Sequence, residues 1–223
     1  MSVQHAGSWT VATLLARASR LPELRVWALI LIGIVASLVG ACASAIDLSP
    51  WEVLSMAGAG ALLWFTLEVV LHRWLLHMPV PKGARLRALH HRLHWRHHEA
   101  PTDFTNLTVP LWGALALHLL AAAAGAAIGG PSGVLPTLLG FSLAFGAYEL
   151  AHFAAHVPYR PRTSWGRSMK RQHLWHHFKN ERYWFGVTHP LLDRLLGTAP
   201  PPSDVPRSST ATELEAPAPK DQR

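Results

Sequence analysis

Histidine is the residue type best suited to chemistry in this sequence of 223 residues, which contains fifteen of them. Ten lie in four compact clusters, three of which contain histidines three or four residues apart, a spacing that places side chains on one helix face. The clusters are His72 and His77; His94, His97 and His98; His152 and His156; and His173, His176 and His177. Imidazole is a common metal ligand, and ten imidazoles suffice for two ions. The pattern predicts a two-metal site.

Other polar residues beside the clusters are candidates for supporting roles. His90 and His91 precede the second cluster and can replace or support one of its members. Glu68, Asp103 and Glu149 each lie next to a cluster and can orient an imidazole by accepting its distal N–H. The alternative for each acid is a helix cap or an ion pair. Three histidines fit no cluster: His5, His118 and His189.

The ligand type narrows the choice of metal only in part. Imidazole suits zinc, iron, copper and nickel, so nitrogen ligands alone do not separate redox from hydrolytic chemistry. The sequence has one cysteine, Cys42, which lies inside an apolar run. We therefore expect neither a disulfide framework nor a cysteine-ligated zinc site.

Long apolar runs must position these clusters. Half of the residues are hydrophobic and 15% are charged, which is typical of a membrane protein when the apolar residues are contiguous. A run of about 20 apolar residues can cross a bilayer as a helix. Four runs approach this length, at residues 26–46, 53–71, 107–128 and 134–150. They predict an all-α integral membrane protein with about four transmembrane helices, two of which end at a histidine cluster.

The positions of basic residues predict the orientation. Arg17, Arg20 and Arg25 precede the first run, whereas the turns at residues 47–50 and 129–133 contain neither Lys nor Arg. Because basic residues accumulate on the cytoplasmic side, both termini and all four clusters are expected there, on a cytoplasmic helical cap. Small residues near Cys42 also resemble a signal-cleavage site, but the long segment before the first run argues against cleavage.

The domain organisation follows from these runs. We expect a cytoplasmic N-terminal segment at residues 1–25, a membrane-embedded domain at 26–199 and a disordered tail at 200–223, which is rich in Pro, Ser, Thr and Ala. The formal net charge is +7, but the basic residues flank the apolar runs. This distribution favours a membrane protein over a nucleic-acid-binding one.

The four clusters, in this order, resemble those of the fatty acid hydroxylase and sterol desaturase superfamily of membrane proteins. The spacing is H-x4-H, H-x2-H-H, H-x3-H and H-x2-H-H. The surrounding residues are most similar to those of the sphingolipid fatty acid 2-hydroxylases, and the resemblance covers roughly residues 64–198. It rests on EVVLHRWLLH from Glu68, HWRHHEAPTD from His94, YELAHFAAH from Tyr148 and KRQHLWHH from Lys170. The beta-carotene hydroxylases share the same order of clusters.

The resemblance implies an oxygen-dependent enzyme that hydroxylates a lipid acyl chain drawn from the bilayer. It makes the ten clustered histidines the ligands of two iron ions, with zinc as an alternative occupant in purified protein, and dioxygen the co-substrate. The cytochrome b5 domain of fungal and animal 2-hydroxylases has no counterpart before the first run, so we expect an external donor such as a ferredoxin or a cytochrome with its reductase. After Asp103 the sequence FTNLTVP departs from the family pattern.

Three alternative functions remain open. A carotenoid or sterol hydroxylase or desaturase of the same superfamily would use the same clusters. A metal-binding membrane transporter would also be rich in histidine, but transport sites lie near the bilayer midplane and these clusters lie at the ends of the runs. Zinc-dependent hydrolysis of a lipid bond is compatible with the ligands but has no obvious carboxylate base inside a cluster.

Overall fold

The computed structural model describes residues 9–43 and 49–211, and these residues are helical apart from turns, loops and one isolated bridge between Trp9 and Tyr159. The α-helices are α1 (Val11–Ala18), α2 (Pro22–Ala43), α3 (Pro50–Val70), α4 (Ala84–His90), α5 (Arg96–Glu99), α6 (Leu111–His156), α7 (Ser164–Phe178) and α8 (Leu191–Leu195). Two π-helical turns, Leu71–Leu76 and His91–Trp95, follow α3 and α4, and 3-10 turns occur at Phe104–Asn106 and Pro202–Asp204. The all-α prediction is confirmed for the described residues.

Three helical segments in the described part of the chain are long and apolar enough to cross a membrane: Pro22–Gly40, Pro50–Leu76 and Phe104–His156. Large apolar side chains on them face outward, since Leu29, Leu62 and Leu119 are each about two thirds exposed, at 68%, 66% and 71%. Such an apolar exterior is typical of helices covered by lipid. The protein is therefore a membrane protein.

The third and fourth apolar runs form one helix, α6, that doubles back on itself. At Gly130 the backbone adopts φ 63° and ψ −160°, a conformation that glycine tolerates and that breaks the helix before Pro131. His118 and Ser142 lie on either side of the break and are joined by a hydrogen bond of 2.8 Å. A straight helix would separate these residues by about 36 Å. The two arms of α6 thus form a helical hairpin, with its turn where the sequence predicted one.

Close helix packing brings α3 against the second arm of α6. A Cβ atom on Gly60 would overlap the carbonyl oxygen of Thr137, so only glycine allows this approach. Trp64, which is 2% exposed, packs edge-on against Phe141 and Phe145 at centroid distances of 5.5 and 4.8 Å. This tight contact fixes the ends of α3 and α6, where two of the histidine clusters begin.

The C-terminal residues pack against the loop after α7. Val205 is 4% exposed, the N–H of Ser208 donates to the carbonyl of Lys179 at 2.8 Å, and the side chain of Asn180 donates to the carbonyl of Pro206 at 3.1 Å. The prediction of a disordered tail from Pro200 is therefore wrong for residues 200–211, because these contacts anchor a segment of low apolar content. Residues 212–223 lie outside the described part of the chain.

Candidate metal centre

The structure brings the ten clustered histidines together in two groups of five. Group A consists of His72, His77, His94, His98 and His176, and group B of His97, His152, His156, His173 and His177. Within each group, one ligand nitrogen per residue lies within 4.8 Å of every other. The groups are adjacent, since the rings of His98 and His177 stack with centroids 4.1 Å apart.

Helical geometry divides each histidine triplet between the two groups. His94 and His98 are four residues apart and face group A, whereas His97 faces group B. On α7, His173 and His177 face group B and His176 faces group A. Each group therefore draws on the segment around α4 and α5 and on α7, and is completed by the end of either α3 or α6. The sequence predicted the set of residues but not this division.

A π-helical turn explains the five-residue spacing of the first cluster. The N–H of His77 donates to the carbonyl of His72 at 3.1 Å, closing a turn between residues five apart. An α-helical turn would rotate the second imidazole away from the first, whereas the wider turn stacks the two residues on one side. Both imidazoles therefore reach group A.

Distances between imidazole nitrogens fit ligands around one ion in each group. The Nε2 atoms of His72, His77 and His98 lie 3.0, 2.9 and 3.0 Å from that of His94. In group B the Nε2 atoms of His156 and His173 are 2.8 Å apart. Two nitrogens bound at right angles, at ~2.1 Å from a metal ion, would be separated by about 3 Å. The donor set and its spacing are therefore compatible with metal binding.

Burial keeps these histidines in the neutral form that binds metals. Desolvation lowers the pKa of His97 to about 3 and, together with the nearby His72 and His90, lowers the pKa of His77 to about 2. Desolvation also lowers the pKa of His94, His98 and His176 well below the ordinary value. Protons therefore compete weakly with a metal ion for these nitrogens near pH 7.

Backbone carbonyls, which no residue type in the sequence marks, hold two imidazoles of group A. Nδ1 of His72 donates to the carbonyl of Phe185 at 2.6 Å, and Nδ1 of His176 donates to that of Tyr183 at 2.7 Å. This assignment leaves both Nε2 atoms free to act as ligands. The sequence carries no direct signal for this contact, because every residue type has a backbone carbonyl.

The predicted supporting acids bond elsewhere. Glu68 accepts hydrogen bonds from Val187 and Thr188, and Glu149 accepts one from the N–H of Val109 at 2.9 Å. Asp103 caps the turn Phe104–Asn106 and pairs with Arg96 at 3.6 Å, in agreement with the alternative role of a helix cap or an ion pair. Among the described residues, none of these acids accepts a hydrogen bond from a clustered imidazole, and Oε2 of Glu149 is buried without a partner.

The two additional histidine candidates lie outside both groups. His91 is exposed and pairs with Glu99 at 2.9 Å. His90 is buried, with its ring centroid 6.3 Å from that of Trp95, and it belongs to neither set of converging nitrogens. Neither residue therefore replaces a member of the second cluster.

An apolar cavity of about 250 Å³ extends from the two groups between α3 and the first arm of α6. Four clustered histidines line it, His72 and His94 from group A and His97 and His152 from group B. Its other walls include Trp64, Leu67, Leu71, Leu75, Leu93, Leu107, Val109, Trp112, Ala116 and Leu117, with Glu68, Asn106, Thr108 and Tyr148 as polar or charged members. The apolar space of the cavity is thus continuous with imidazoles of both groups.

Comparisons with known proteins agree with this arrangement. The family model described as fatty acid hydroxylase matches residues 57–198. Dihydroceramide fatty acyl 2-hydroxylase FAH2 of Arabidopsis thaliana is 34% identical over 153 residues, which cover 63% of this chain and 59% of that protein. Fatty acid 2-hydroxylase of Rattus norvegicus is 31% identical over 159 residues, which cover 66% of this chain and 40% of that protein.

The fold has a counterpart among solved structures. The structure titled "Full length scs7p (only hydroxylase domain visible)" aligns with a TM-score of 0.72 and 24% identity, covering 84% of this chain and 68% of that one. The alignments span between two fifths and three fifths of the two relatives named above. All four histidine clusters lie within the residues that the family model matches, which confirms the resemblance found in the sequence. The chain belongs to the fatty acid hydroxylase family.

Proposed function

We propose that this protein is a membrane-bound oxygenase that hydroxylates the acyl chain of a lipid, with two iron ions held by groups A and B and dioxygen as co-substrate. The observation that carries the proposal is the apolar cavity, which ends at imidazoles of both groups. The names of the relatives support an acyl substrate, since they describe hydroxylation of fatty acids and of dihydroceramide fatty acyl groups.

Binding of the acyl chain would rest on the cavity walls. Each buried CH2 group contributes about 0.8 kcal/mol, so Leu71, Leu75 and Leu117 can hold an alkyl chain drawn directly from the bilayer. The same walls exclude water from the imidazoles that line the cavity. Asn106 and Tyr148 offer polar groups that can orient a substrate, because a few such groups fix the position of an otherwise apolar ligand.

The metal ions would supply the oxidising power that the side chains lack. An unactivated C–H bond gives a general base nothing to act on, and iron bound by these histidines would supply oxidation by dioxygen. One oxygen atom enters the product and the other leaves as water, so turnover consumes electrons and protons. We propose that a ferredoxin, or a cytochrome with its reductase, delivers those electrons from outside the chain.

We further propose that the chain crosses the membrane four times, with its histidine groups on the cytoplasmic side. The hairpin in α6 supports this topology, because its arms, from Leu111 and from Pro131, each contain nearly 20 residues or more. The accumulation of basic residues in the segments that carry the clusters supports the orientation.

A carotenoid or sterol as substrate is the second candidate, and a specific feature favours it. Residues 106–110 line the apolar cavity and lie in the segment FTNLTVP, which departs from the pattern of the 2-hydroxylases. A changed wall can admit a chain or ring of a different shape. A transporter is less compatible with the structure: His118, within an apolar helix, already bonds to Ala114 and Ser142.

Comparison of cellular lipids tests the proposed substrate class. Lipids from cells expressing the wild-type chain should contain hydroxylated acyl chains that are missing from cells expressing the His176→Ala variant. A Gly113→Trp variant, which places a large side chain on the cavity wall, should accept only shorter acyl chains or none. Carotenoid or sterol products in place of acyl products would support the second candidate, and unchanged lipids would contradict both.

A further inference from the structure

Residues 183–188, here called the carbonyl loop, contact two imidazoles of group A. The carbonyls of Tyr183 and Phe185 are its two contacts to imidazole nitrogens. Between them, Trp184 has φ 57°, a left-handed conformation that is costly for a bulky residue. It is 1% exposed, and its N–H donates to the carbonyl of Thr198 at 2.8 Å. The surroundings therefore impose this conformation on the loop.

Two buried carboxylates bind four consecutive backbone N–H groups of the carbonyl loop. Asp193 accepts the N–H of Phe185 at 3.1 Å through Oδ1 and that of Gly186 at 2.6 Å through Oδ2. Glu68 accepts the N–H groups of Val187 and Thr188 at 2.7 and 2.8 Å through Oε1, and the Thr188 hydroxyl through Oε2. Both carboxylates are almost fully buried, at 0% and 3% exposure.

The sequence of the loop is adapted to this arrangement. A Cβ atom on Gly186 would overlap the carbonyl oxygen of His189 and would lie 3.0 Å from Oδ2 of Asp193. A larger residue would therefore displace the carboxylate from the loop. Thr198 donates its hydroxyl to Oδ1 of Asp193 at 2.6 Å and so holds that carboxylate from the opposite side.

Group B has no comparable support among the described residues. The Nδ1 atoms of His97, His152, His173 and His177 are buried and have no hydrogen-bond partner there. An imidazole whose second nitrogen donates to a fixed acceptor is locked in one tautomer and one ring orientation. The two groups therefore use the same ligand type but differ in how firmly their ligands are oriented.

We infer that Glu68 and Asp193 are positioning residues for group A, which they serve by fixing the carbonyl loop that orients His72 and His176. As a result, group A retains its metal ion more strongly than group B. The inference rests on the part of the proposed function that assigns one metal ion to each group. It does not depend on the substrate.

Metal retention tests the difference between the groups. The purified full chain is loaded anaerobically with Fe²⁺ and dialysed against EDTA, and the bound metal is measured over time by mass spectrometry. The chain should lose its ions in two phases. The His156→Ala variant removes a group B ligand and should retain the slowly released ion. The His77→Ala variant removes a group A ligand and should retain the rapidly released ion.

Substitution of Glu68 in these two backgrounds tests its positioning role. Glu68→Ala should accelerate metal loss by about 10-fold or more when added to His156→Ala and should have no effect when added to His77→Ala. Glu68→Gln should restore retention, because its amide oxygen can still accept both backbone N–H groups. Asp193→Asn should not preserve metal retention. Both oxygens of Asp193 accept a backbone N–H, so the NH2 group of asparagine would face one of these donors in either orientation of the amide.

Glu149 provides a matched control, since it is also buried, at 2% exposure, and accepts one backbone N–H, but it does not contact the carbonyl loop. Glu149→Gln should leave metal loss unchanged in both backgrounds. Thr188→Val removes only the hydroxyl that binds Glu68 and should have a smaller effect than Glu68→Ala in the same direction. This milder variant keeps the inference testable if Glu68→Ala does not fold. Size-exclusion chromatography checks folding.

The outcomes separate the inference from the proposed function. A wild-type chain that holds two ions but loses them at the same rate, or Glu68 and Thr188 variants that act equally in both backgrounds, would overturn the inference alone. A wild-type chain that binds no iron would overturn the inference and the proposed metal centre together.

Discussion

At the scale of single residues, the division of neighbouring histidines between two groups makes their substitution specific. His98→Ala removes a ligand of group A and should lower bound metal by one ion per chain and reduce turnover by more than about 100-fold. His91→Ala is the matched control, because this histidine lies on the same helical segment but is exposed and pairs with Glu99. Metal analysis and turnover assays of both variants check the ligand assignment. Equal metal content in the two variants would contradict it.

The lowered pKa values of the buried histidines predict how the metal-free protein responds to acid. The folded pKa is about 3 for His97 and about 2 for His77, whereas the ordinary value is 6.5. Below pH 6.5 the unfolded chain binds protons that the folded chain does not, so the free energy of unfolding falls as the pH falls towards these values. Tryptophan fluorescence of EDTA-treated protein should show a Tm that is constant above about pH 7.5 and decreases below about pH 6.5. A Tm that rises on acidification would be inconsistent with neutral, buried imidazoles.

The residue types that converge at the candidate metal centre were predictable from the sequence, but their hydrogen-bond partners were not. All ten clustered histidines could be predicted, because both the residue type and its spacing can be read directly from the sequence. Which group each belongs to depends on helix faces that meet only in the folded protein. The partners of His72 and His176 are backbone carbonyls, and every residue has one, so no pattern of residue types marks Tyr183 or Phe185. Glu68 was identified as a supporting residue, but its contact to group A runs through the loop.

At the scale of elements, the π-helical turn Leu71–Leu76 is the feature that places His72 and His77 side by side. Insertion of one alanine after Leu75 should place His77 six residues after His72 and, at about 100° per residue, rotate it away from group A. We expect the insertion variant to bind one ion in place of two, because group B receives no ligand from this segment. Metal content measured after size exclusion checks the prediction, and Leu75→Ala, which preserves the spacing, is the control. Retention of both ions by the insertion variant would show that the five-residue spacing is not needed.

Lys170 connects the end of α6 to α7 by a contact that the sequence did not reveal. Its ammonium group donates to the carbonyls of Ala154, Val157 and Tyr159 at 2.8, 2.7 and 2.9 Å. These acceptors lie at the C-terminal end of α6, where a cation offsets unpaired carbonyls and the helix dipole. Burial lowers the pKa of Lys170 to about 8. The contact holds the helix end that carries His152 and His156 against the helix that carries His173.

The apolar runs predicted the helices well and their boundaries less well. Runs of 20 residues imply helices whatever the tertiary contacts, so the prediction of α2, α3 and both arms of α6 needed only composition. Helix α2 begins at Pro22, four residues before the predicted run, because proline and Glu23 suit the first turn of a helix although they are not apolar. The packing of residues 200–211 could not be predicted, because it depends on hydrogen bonds to Lys179 and Asn180.

At the scale of the whole molecule, the proposed topology can be tested by labelling from one side of the membrane. In a Cys42→Ser background, a cysteine introduced at the exposed Ser132 should react with an impermeant thiol reagent applied outside intact cells, because the hairpin turn is expected there. A cysteine at Arg207 should react only after the cells are opened. Reaction of both sites from the same side would rule out the four-span arrangement, and the parent without cysteine is the control.

The matched relatives are considerably longer than their aligned portions, and 59% of the plant enzyme and 40% of the rat enzyme are covered. The clustered histidines, the cavity and the helical hairpin lie within residues 57–198, which the family model matches. An assay of the proposed activity must include an electron donor.

Incorporation of labelled oxygen tests the central claim most directly. The purified chain, loaded with iron and supplied with a ferredoxin, ferredoxin reductase and reduced nicotinamide cofactor, is incubated with fatty acids and ceramides under ¹⁸O2, and the products are analysed by mass spectrometry. We predict one ¹⁸O atom in the hydroxyl group of an acyl product, with none formed by the His176→Ala variant. Failure of the iron-loaded, folded chain to transfer ¹⁸O to any acyl or isoprenoid lipid, with either a ferredoxin or a cytochrome donor, would contradict the account.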